Sequence, residues 1–251
     1  MSEEASHTSS TLPNRSDGHM KDLVKKVFSL FGLGLYRLSP TQNGYCQQPP
    51  KCVVSSPLNH NSKEGLNAFY ADRETAESYL DVEFYERVVS FLHDQRTSYD
   101  GKNVADIGCG TGHLLRFIEV RFRPASLTGF EYSEAALEIA RSRVRTAQMN
   151  YFDIYEPSSL KYDVVFCVEV LEHLLYPDKA LRNVIKMIAP CGVALFTVPN
   201  GRTDTFDGHI NFWSPESWNV FVRDVCQGFV VRTGLIENGE TNFAIIKSGA
   251  N

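Results

Sequence analysis

Hydrophobic positions change their spacing along the chain. Residues 71–80 and 82–93 carry them three or four positions apart, which predicts helices. From residue 103 onward, short apolar runs rich in β-branched and aromatic residues alternate with further helical stretches. These runs predict seven strands, at 103–107, 126–131, 144–149, 162–168, 192–198, 229–235 and 242–247.

The order of these segments predicts the fold class. Helical stretches separate most of the first six strands, as expected for an α/β, doubly wound parallel sheet with helices on both faces. Only residues 236–241, with the turn pair Asn238-Gly239, separate the last two strands. Because that gap is too short for a crossover helix, we expect the last strand to be antiparallel to its neighbour.

The N-terminal quarter differs in composition from the rest. Its first residues are polar, and residues 21–38 place Lys21, Lys25 and Lys26 among apolar residues at helical spacing. Such a basic amphipathic helix either packs on the main domain or lies on a membrane surface. The predicted organisation is a disordered tail at 1–20, an amphipathic helix and linker at 21–65, a helical cap at 66–100 and the main domain at 101–251.

Composition narrows the classes of function. The chain has 251 residues, of which 43% are hydrophobic and 22% charged, enough for a sizeable core. No apolar run approaches the length of a membrane span, and no secretory leader is recognisable. The six cysteines form no C-x-x-C pair, which favours a reducing, cytoplasmic location, with peripheral membrane contact through 21–38 as the alternative. A formal charge of −5 argues against a broad nucleic-acid surface.

A glycine-dense turn follows the first predicted strand, in Asp106-Ile107-Gly108-Cys109-Gly110-Thr111-Gly112. Glycines let a ligand approach the backbone, and the helix beyond offers unpaired N–H groups. The spacing lacks the last glycine of a dinucleotide fingerprint, since His113 stands there, and it lacks a P-loop lysine. Asp106 would repel a pyrophosphate but would favour a cationic ligand.

Polar residues at the ends of the next two strands complete a nucleoside site. Glu131 closes the second strand, where a carboxylate accepts hydrogen bonds from both ribose hydroxyls. Asn150 follows the third strand and is the candidate reader of an adenine amino group, with Asp153 as its competitor.

Together these motifs resemble those of the class I S-adenosylmethionine-dependent methyltransferases. The resemblance spans residues 103–247 and includes Tyr162-Asp163-Val164-Val165 at the fourth strand. It implies a Rossmann-like, seven-stranded sheet in the order 3-2-1-4-5-7-6. It also implies an S-adenosylmethionine site formed by Asp106, Gly108, Cys109, Gly110, Gly112, Glu131, Tyr132, Asn150, Tyr151 and Val168.

An acidic segment, Glu169-Val170-Leu171-Glu172-His173, follows the fourth strand. On a helix, Glu169, Glu172 and His173 would share one face. His209, in the loop after the fifth strand, is positioned to converge on the same crevice. Two carboxylates and two imidazoles suit Mg²⁺, Mn²⁺ or Zn²⁺, so these four residues are the predicted metal ligands.

Two narrower resemblances concern this segment. A similar E-x-L-E-H stretch occurs in the ubiquinone-pathway catechol O-methyltransferases. The small-RNA 3′-terminal 2′-O-methyltransferases carry E-x-x-E-H plus a later histidine that binds a metal. The alternative is that the glutamates and the histidine of this segment have only structural roles, in capping and packing, as in methyltransferases with varied substrates. His173 and Glu172 are the candidate catalytic residues, with His173 as a general base if no metal is used.

The sequence therefore predicts an S-adenosylmethionine-dependent methyltransferase acting on oxygen of a small molecule, such as a catechol or quinone precursor, a sugar or a natural product. Residues 66–80 and 197–213 are expected to flank the crevice and shape specificity. The alternatives are an RNA 3′-terminal 2′-O-methyltransferase, an N- or C-methyltransferase, and a non-catalytic adenosylmethionine-binding partner protein. The sequence does not specify an oligomeric state.

Overall fold

The computed structural model describes residues 61–78 and 81–249. The predicted tail at 1–20 and amphipathic helix at 21–38 lie outside these residues and stay predictions. Among the described helices, none is long and apolar enough to cross a membrane.

Within the described residues, seven strands form one sheet in the order β3-β2-β1-β4-β5-β7-β6, which confirms the predicted fold class. Neighbours from β3 to β5 pair in parallel, and β7 pairs antiparallel with both β5 and β6. The strands are β1 (Asn103–Ile107), β2 (Ser126–Glu131), β3 (Gln148–Tyr151), β4 (Tyr162–Val168), β5 (Ile188–Pro199), β6 (Val230–Ile236) and β7 (Thr241–Lys247).

Most of the described helices begin at a side-chain cap. Ser62, Asp81, Ser133 and Ser214 each accept a hydrogen bond from the backbone N–H three residues on. The helices are α1 (Lys63–Ala71), α2 (Arg73–Ser78), α3 (Val82–Asp94), α4 (His113–Arg121), α5 (Glu134–Arg143), α6 (Pro177–Ile185) and α7 (Pro215–Val225).

The predicted third strand, 144–149, is displaced toward the C-terminus. Val144 instead ends α5, with its N–H donated to the Ala140 carbonyl, and the strand begins only at Gln148. The predicted helix at 71–80 is also wrong in its bounds, because α1 starts at Lys63 and the backbone leaves helical geometry at Asp72.

Successive residues of the central strands point to opposite faces of the sheet, and each face has its own hydrophobic core. In β4, Val165 and Cys167 join one core, to which α6 and α7 contribute Leu181 and the fully buried Trp218. Phe166 faces the other core, beneath α3, α4 and α5. Because both faces are covered, the carboxyl ends of the strands are the natural place for a ligand.

Candidate active site

A cleft of about 830 Å³ opens at the carboxyl ends of β1, β2 and β4. Its walls are the ends of these strands, the turns after β3 and β4, and the loop after β5. Residues 61–70 and the first turn of α3 form the facing wall. The predicted flanking segments thus contribute Leu66, Phe69 and Tyr70 on one side and Phe206 and His209 on the other.

The glycine turn after β1 has the backbone geometry that only glycine adopts readily. Gly108 has φ +77°, and a Cβ there would stand 2.5 Å from Val170 Cγ2. Gly110 has φ +49°, and Gly112, at φ +83°, precedes α4. A side chain at Gly108 would therefore push apart the turns that follow β1 and β4.

Glu131, at the end of β2, is held by three backbone amides. Its Oε1 accepts from the N–H groups of Tyr132 at 2.8 Å and Ser133 at 2.9 Å, and its Oε2 accepts from Gly110 at 2.9 Å. Burial raises the pKa of this carboxyl, and the three N–H donors oppose the rise. The site thereby fixes a carboxylate that still has lone pairs for hydroxyl donors from a ligand.

Most of the predicted cofactor residues lie at the cleft or at the small pocket beside it, but some do not. Most of them line either the cleft or a small pocket beside it: Asp106, Gly108, Cys109, Gly110, Glu131, Tyr132 and Val168. Gly112 lines neither space and instead packs against Ala140 and Val144.

Asn150 and Tyr151 are exposed on β3 and also line neither space. Asp153 does line the cleft, so the geometry favours this competitor over Asn150 as the adenine reader. The reason is the displaced third strand. With β3 ending at Tyr151, the turn that faces the cleft begins two residues beyond Asn150.

Asp106 is buried at the end of β1, and burial, together with the Glu131 charge, raises the pKa of its carboxyl from 3.8 to about 8. A buried carboxyl of this kind becomes ionised readily only when a cation lies beside it.

Asp106→Asn is expected to flatten the decline in stability of the ligand-free protein from about pH 5 to pH 8. Because the folded-state pKa is raised, the folded state binds more protons there than the unfolded state. The free energy of unfolding therefore falls as pH rises, by up to about 1.4 kcal/mol per pH unit. Urea unfolding at several pH values measures the difference between variant and wild type. The exposed Asp224→Asn is the control, and parallel curves for wild type and Asp106→Asn would contradict the prediction.

The segment after β4 is not the predicted helix. Glu169 has φ +53°, in the left-handed region, and its N–H donates to the Thr197 carbonyl of β5. Only a single 3₁₀ turn, Leu171–His173, follows. Asn211 stabilises this turn by donating its side-chain amide to the Leu171 and Leu174 carbonyls at 3.2 and 2.7 Å. The shared helical face of Glu169, Glu172 and His173 is therefore wrong, although two of these residues still converge with the later histidine.

Glu172, His173 and His209 form a cluster whose ligand atoms all lie within 4.8 Å of one another. The Nε2 atoms of both histidines are 3.9 Å from Glu172 Oε1. Glu172 is fully buried, and within the described part of the chain neither of its oxygens has a hydrogen-bond partner. The fourth predicted ligand, Glu169, lies outside this group, and its Oε1 accepts from the Thr197 hydroxyl at 2.8 Å.

Hydrogen bonds behind the cluster fix the tautomer of both histidines. His209 Nδ1 donates to Asp204 Oδ2 at 2.6 Å, and His173 Nδ1 donates to the Gly208 carbonyl at 3.3 Å. The Gly208 carbonyl also accepts from the Asn61 side chain at 2.9 Å. Each Nε2 is consequently the basic nitrogen, and each points toward Glu172. An imidazole bonded to a carboxylate or carbonyl through its other nitrogen is typical of metal-binding histidines.

Burial and neighbouring negative charges make both acidic side chains costly to ionise. Burial is the main cause that raises the pKa of Glu172 well above its usual range, and the Glu169 charge adds to it. Burial also raises the pKa of Glu169 to about 7, against the hydrogen bond from Thr197. A cation beside these carboxyls would relieve both effects, so the donor set fits a divalent ion.

Sequence reasoning assigned no role to three residues of this site, although Tyr70 and Asp204 lie in the segments predicted to flank the crevice. Tyr70 and Tyr85 line both the cleft and the small pocket, and Asp204 orients His209. An acid five residues before His209 is a weak signal for Asp204. No local pattern indicated that the tyrosines of α1 and α3 pack against the glycine turn.

A family model described as a methyltransferase domain matches residues 76–229. A ubiquinone biosynthesis O-methyltransferase from Pseudomonas savastanoi pv. phaseolicola is 34% identical over 114 residues, which cover 43% of this chain and 48% of that protein. The chain therefore spans about half the length of the curated relatives it matches.

Solved structures resemble this fold at low sequence identity. A putative methyltransferase from Haloferax volcanii, solved in complex with a methyltransferase activator, has a TM-score of 0.62 at 15% identity, covering 73% of this chain and 97% of that one. Magnesium protoporphyrin IX methyltransferase from Synechocystis PCC 6803, solved with bound S-adenosylmethionine, has a TM-score of 0.57 at 16% identity, covering 74% and 97%. At these identities the likeness concerns the fold alone.

Proposed function

This chain belongs to the methyltransferase-domain family, and on that premise we propose that it transfers the methyl group of S-adenosylmethionine to a hydroxyl oxygen of a small molecule. The proposed acceptor carries two adjacent oxygens, as a catechol or a vicinal diol does. The modest identity to ubiquinone biosynthesis O-methyltransferases supports oxygen as the acceptor atom.

One observation carries this proposal: the Glu172 carboxyl is buried behind the cleft wall that holds His173 and His209, both of its oxygens lack a hydrogen-bond partner among the described residues, and it lies opposite two oriented imidazoles. Burying a polar group without a partner is costly, so such a group is retained where it has a function. A structural role for Glu172 would instead require a hydrogen-bond donor beside it.

Different residues of this chain would bind different parts of the cofactor. Glu131 would hold the ribose hydroxyls, Asp153 the adenine, and Asp106 the cationic side of the cofactor. S-adenosylmethionine, when bound, would supply a methyl group activated by its sulfonium: the acceptor oxygen bonds to the methyl carbon as the carbon–sulfur bond breaks in line, and neutral S-adenosylhomocysteine leaves. Enclosure between α1 and the sheet aligns the two reactants and excludes water, which favours a direct transfer.

Removal of the acceptor's hydroxyl proton is assigned to the cluster of Glu172, His173 and His209. A divalent cation there would lower the pKa of a coordinated hydroxyl and would fix two neighbouring oxygens beside the cofactor. The Nε2 lone pair of His173 serves either as a metal ligand or as a general base, but not as both at once. Dependence of turnover on the metal therefore distinguishes the two roles.

Charge favours a small molecule over an RNA terminus, the second candidate with a vicinal diol. Among the described residues that line the cleft, Lys63 is the one lysine, and no arginine is present. Five carboxyl side chains line it: Glu64, Asp81, Glu131, Asp153 and Glu169. Such a wall repels phosphates, whereas RNA-binding surfaces present lysine and arginine.

Incubation of the purified full-length chain with methyl-labelled S-adenosylmethionine and parallel acceptors tests the proposal. Catechols and vicinal diols are expected to give an O-methyl product identified by mass spectrometry and NMR. Methylation of a single-stranded RNA 3′ end alone would select the RNA alternative, and an N- or C-methyl product would refute O-methylation. Cofactor binding without turnover, until a partner subunit is added, would support the binding-partner alternative.

Asp204→Asn is expected to weaken metal affinity and turnover about 10- to 100-fold, because it removes the carboxylate that orients His209. Cofactor affinity should stay unchanged, since Asp204 lines neither ligand space. Isothermal titration with Mn²⁺ and steady-state kinetics measure the two effects. The exposed Asp207→Asn, in the same loop, is the matched control. Equal metal affinity in wild type and Asp204→Asn would contradict the prediction.

A further inference from the structure

The asparagine that precedes α1 joins the helical wall of the cleft to the loop after β5. Asn61 Nδ2 donates a hydrogen bond to the Gly208 carbonyl at 2.9 Å. The same carbonyl accepts from His173 Nδ1 at 3.3 Å. Asn61 is therefore two hydrogen bonds away from an imidazole of the cluster that is assigned to proton removal, and both residues line the cleft.

The other end of this side-chain amide has no partner. Asn61 Oδ1 is buried, and no residue within 61–78 and 81–249 donates a hydrogen bond to it. Lys63 is engaged elsewhere, because its Nζ lies 4.2 Å from the centroid of the Tyr151 ring. A buried acceptor without a donor is costly to keep, so a donor from a ligand would stabilise it.

The two ends of the Asn61 amide are not interchangeable. A carbonyl only accepts, so the amide nitrogen has to face Gly208, and the oxygen is the end that is left for a ligand. An amide oxygen accepts a hydrogen bond from a hydroxyl without removing its proton, because it is far less basic than a carboxylate or an imidazole. Asn61 is thus suited to a hydroxyl that stays protonated.

A diol bound at the cluster presents such a hydroxyl. One of its oxygens loses a proton and receives the methyl group, whereas the other keeps its hydrogen, which needs an acceptor once water is excluded. The cluster does not offer one, because the Glu172 carboxylate and the Nε2 atoms of His173 and His209 face one another, where a cation would bind. An acceptor outside the cluster is therefore required.

We propose that Asn61 is a specificity-determining residue whose Oδ1 accepts a hydrogen bond from the hydroxyl of the diol that is not methylated. This proposal rests on the proposed function, because it concerns the second oxygen of the proposed acceptor. Methylation converts a diol into its mono-methyl ether. When that ether turns its remaining hydroxyl toward the cofactor, it has no O–H left for Asn61. The contact therefore favours the diol over its ether and limits the reaction to one methyl group.

Calorimetry on the full-length chain, loaded with Mn²⁺ and S-adenosylhomocysteine, tests this contact with two pairs of probes. Catechol and cis-cyclohexane-1,2-diol carry both hydroxyls, whereas 2-methoxyphenol and 2-methoxycyclohexanol carry one. The ratio of the Kd for an ether to the Kd for its diol measures the preference for the diol. Asn61→Ala is expected to lower this ratio about tenfold, because only the diol loses a hydrogen bond.

Asn67→Ala is the matched control. It removes the contact of the same helix with Ser133, so it loosens α1 from the other side of the cleft. The affinities for diol and ether should then change by the same factor, which leaves their ratio within about twofold of the wild-type value.

The same ratio in wild type and Asn61→Ala would overturn the assignment of Asn61 while leaving the proposed function intact. An equal fall of the ratio in Asn61→Ala and Asn67→Ala would also overturn it, because that result indicates a loosened helix rather than a lost contact. Failure of the loaded wild-type chain to bind either diol would overturn the proposed function itself, and the assignment with it.

Discussion

Chelation of divalent cations is expected to lower turnover by about 10²- to 10³-fold without changing cofactor affinity. A bound cation stabilises a developing alkoxide or phenoxide by several kcal/mol, and this stabilisation disappears with the metal. Glu131, Asp106 and Asp153 are separate from the cluster of Glu172, His173 and His209, so the cofactor should still bind. Added Mg²⁺, Mn²⁺ or Zn²⁺ should restore the rate, and kcat before and after dialysis against chelator measures the effect.

The substitution Glu172→Gln tests whether Glu172 binds the cation or only supports the fold. The substitution should lower turnover as chelation does, because an amide is a poor ligand for the cation. It should not lower the Tm of the metal-free protein, since the Glu172 side chain makes no hydrogen bond within the part of the chain that the structure describes. The exposed Glu138→Gln is the control. Full turnover by the chelated protein would contradict the metal site and leave His173 as the base.

Glu131→Ala is expected to reduce affinity for S-adenosylhomocysteine about 10²- to 10⁴-fold. Two charge-assisted bonds to ribose hydroxyls, each worth about 1.5–3 kcal/mol, account for this loss. The Tm of the ligand-free protein should also fall, because the N–H groups of Gly110, Tyr132 and Ser133 lose their acceptor.

Glu131→Gln tests the same site at constant size. One oxygen remains for the amides, so the fold should suffer less than in Glu131→Ala, while the charge needed by the ribose is absent. Calorimetry and thermal unfolding give the two readings, and the exposed Glu134→Ala is the control. Wild-type affinity in a folded Glu131 variant would remove this residue from the cofactor site.

The bounds of β1, β2 and β4 agree with the sequence prediction at every residue, because each strand is a short run in which apolar residues predominate. The third strand was misplaced since Val144 has the chemistry of a strand residue but closes a helix. Because of that displacement, Asn150 was predicted to face the cleft, which Asp153 lines instead. A single misjudged end therefore altered a functional prediction.

The turn after β4 shows what periodicity cannot detect. The spacing of Glu169, Glu172 and His173 fits a helix, but the positive φ of Glu169 and the donors of Asn211 come from contacts far along the chain. The cluster formed nevertheless, because the loop carrying His209 is bonded to the same turn: the Ile210 N–H donates to the Glu172 carbonyl. For the same reason, no local sequence pattern indicated that Tyr70 and Tyr85 lie beside the glycine turn, since only the folded chain brings them there.

The position of α1 has a kinetic consequence. Asn67 Oδ1 accepts from the Ser133 hydroxyl at 2.8 Å, and Asn61 donates to the Gly208 carbonyl at the opposite side of the cleft. Among the described residues, this helix therefore forms the wall that faces the strand ends of the cleft, and a ligand that leaves on that side passes beneath it. The bonds that hold it are worth only about 0.5–1.5 kcal/mol each, so opening on the microsecond-to-millisecond timescale is expected. We therefore expect the departure of products, rather than the chemical step, to set the upper limit on turnover.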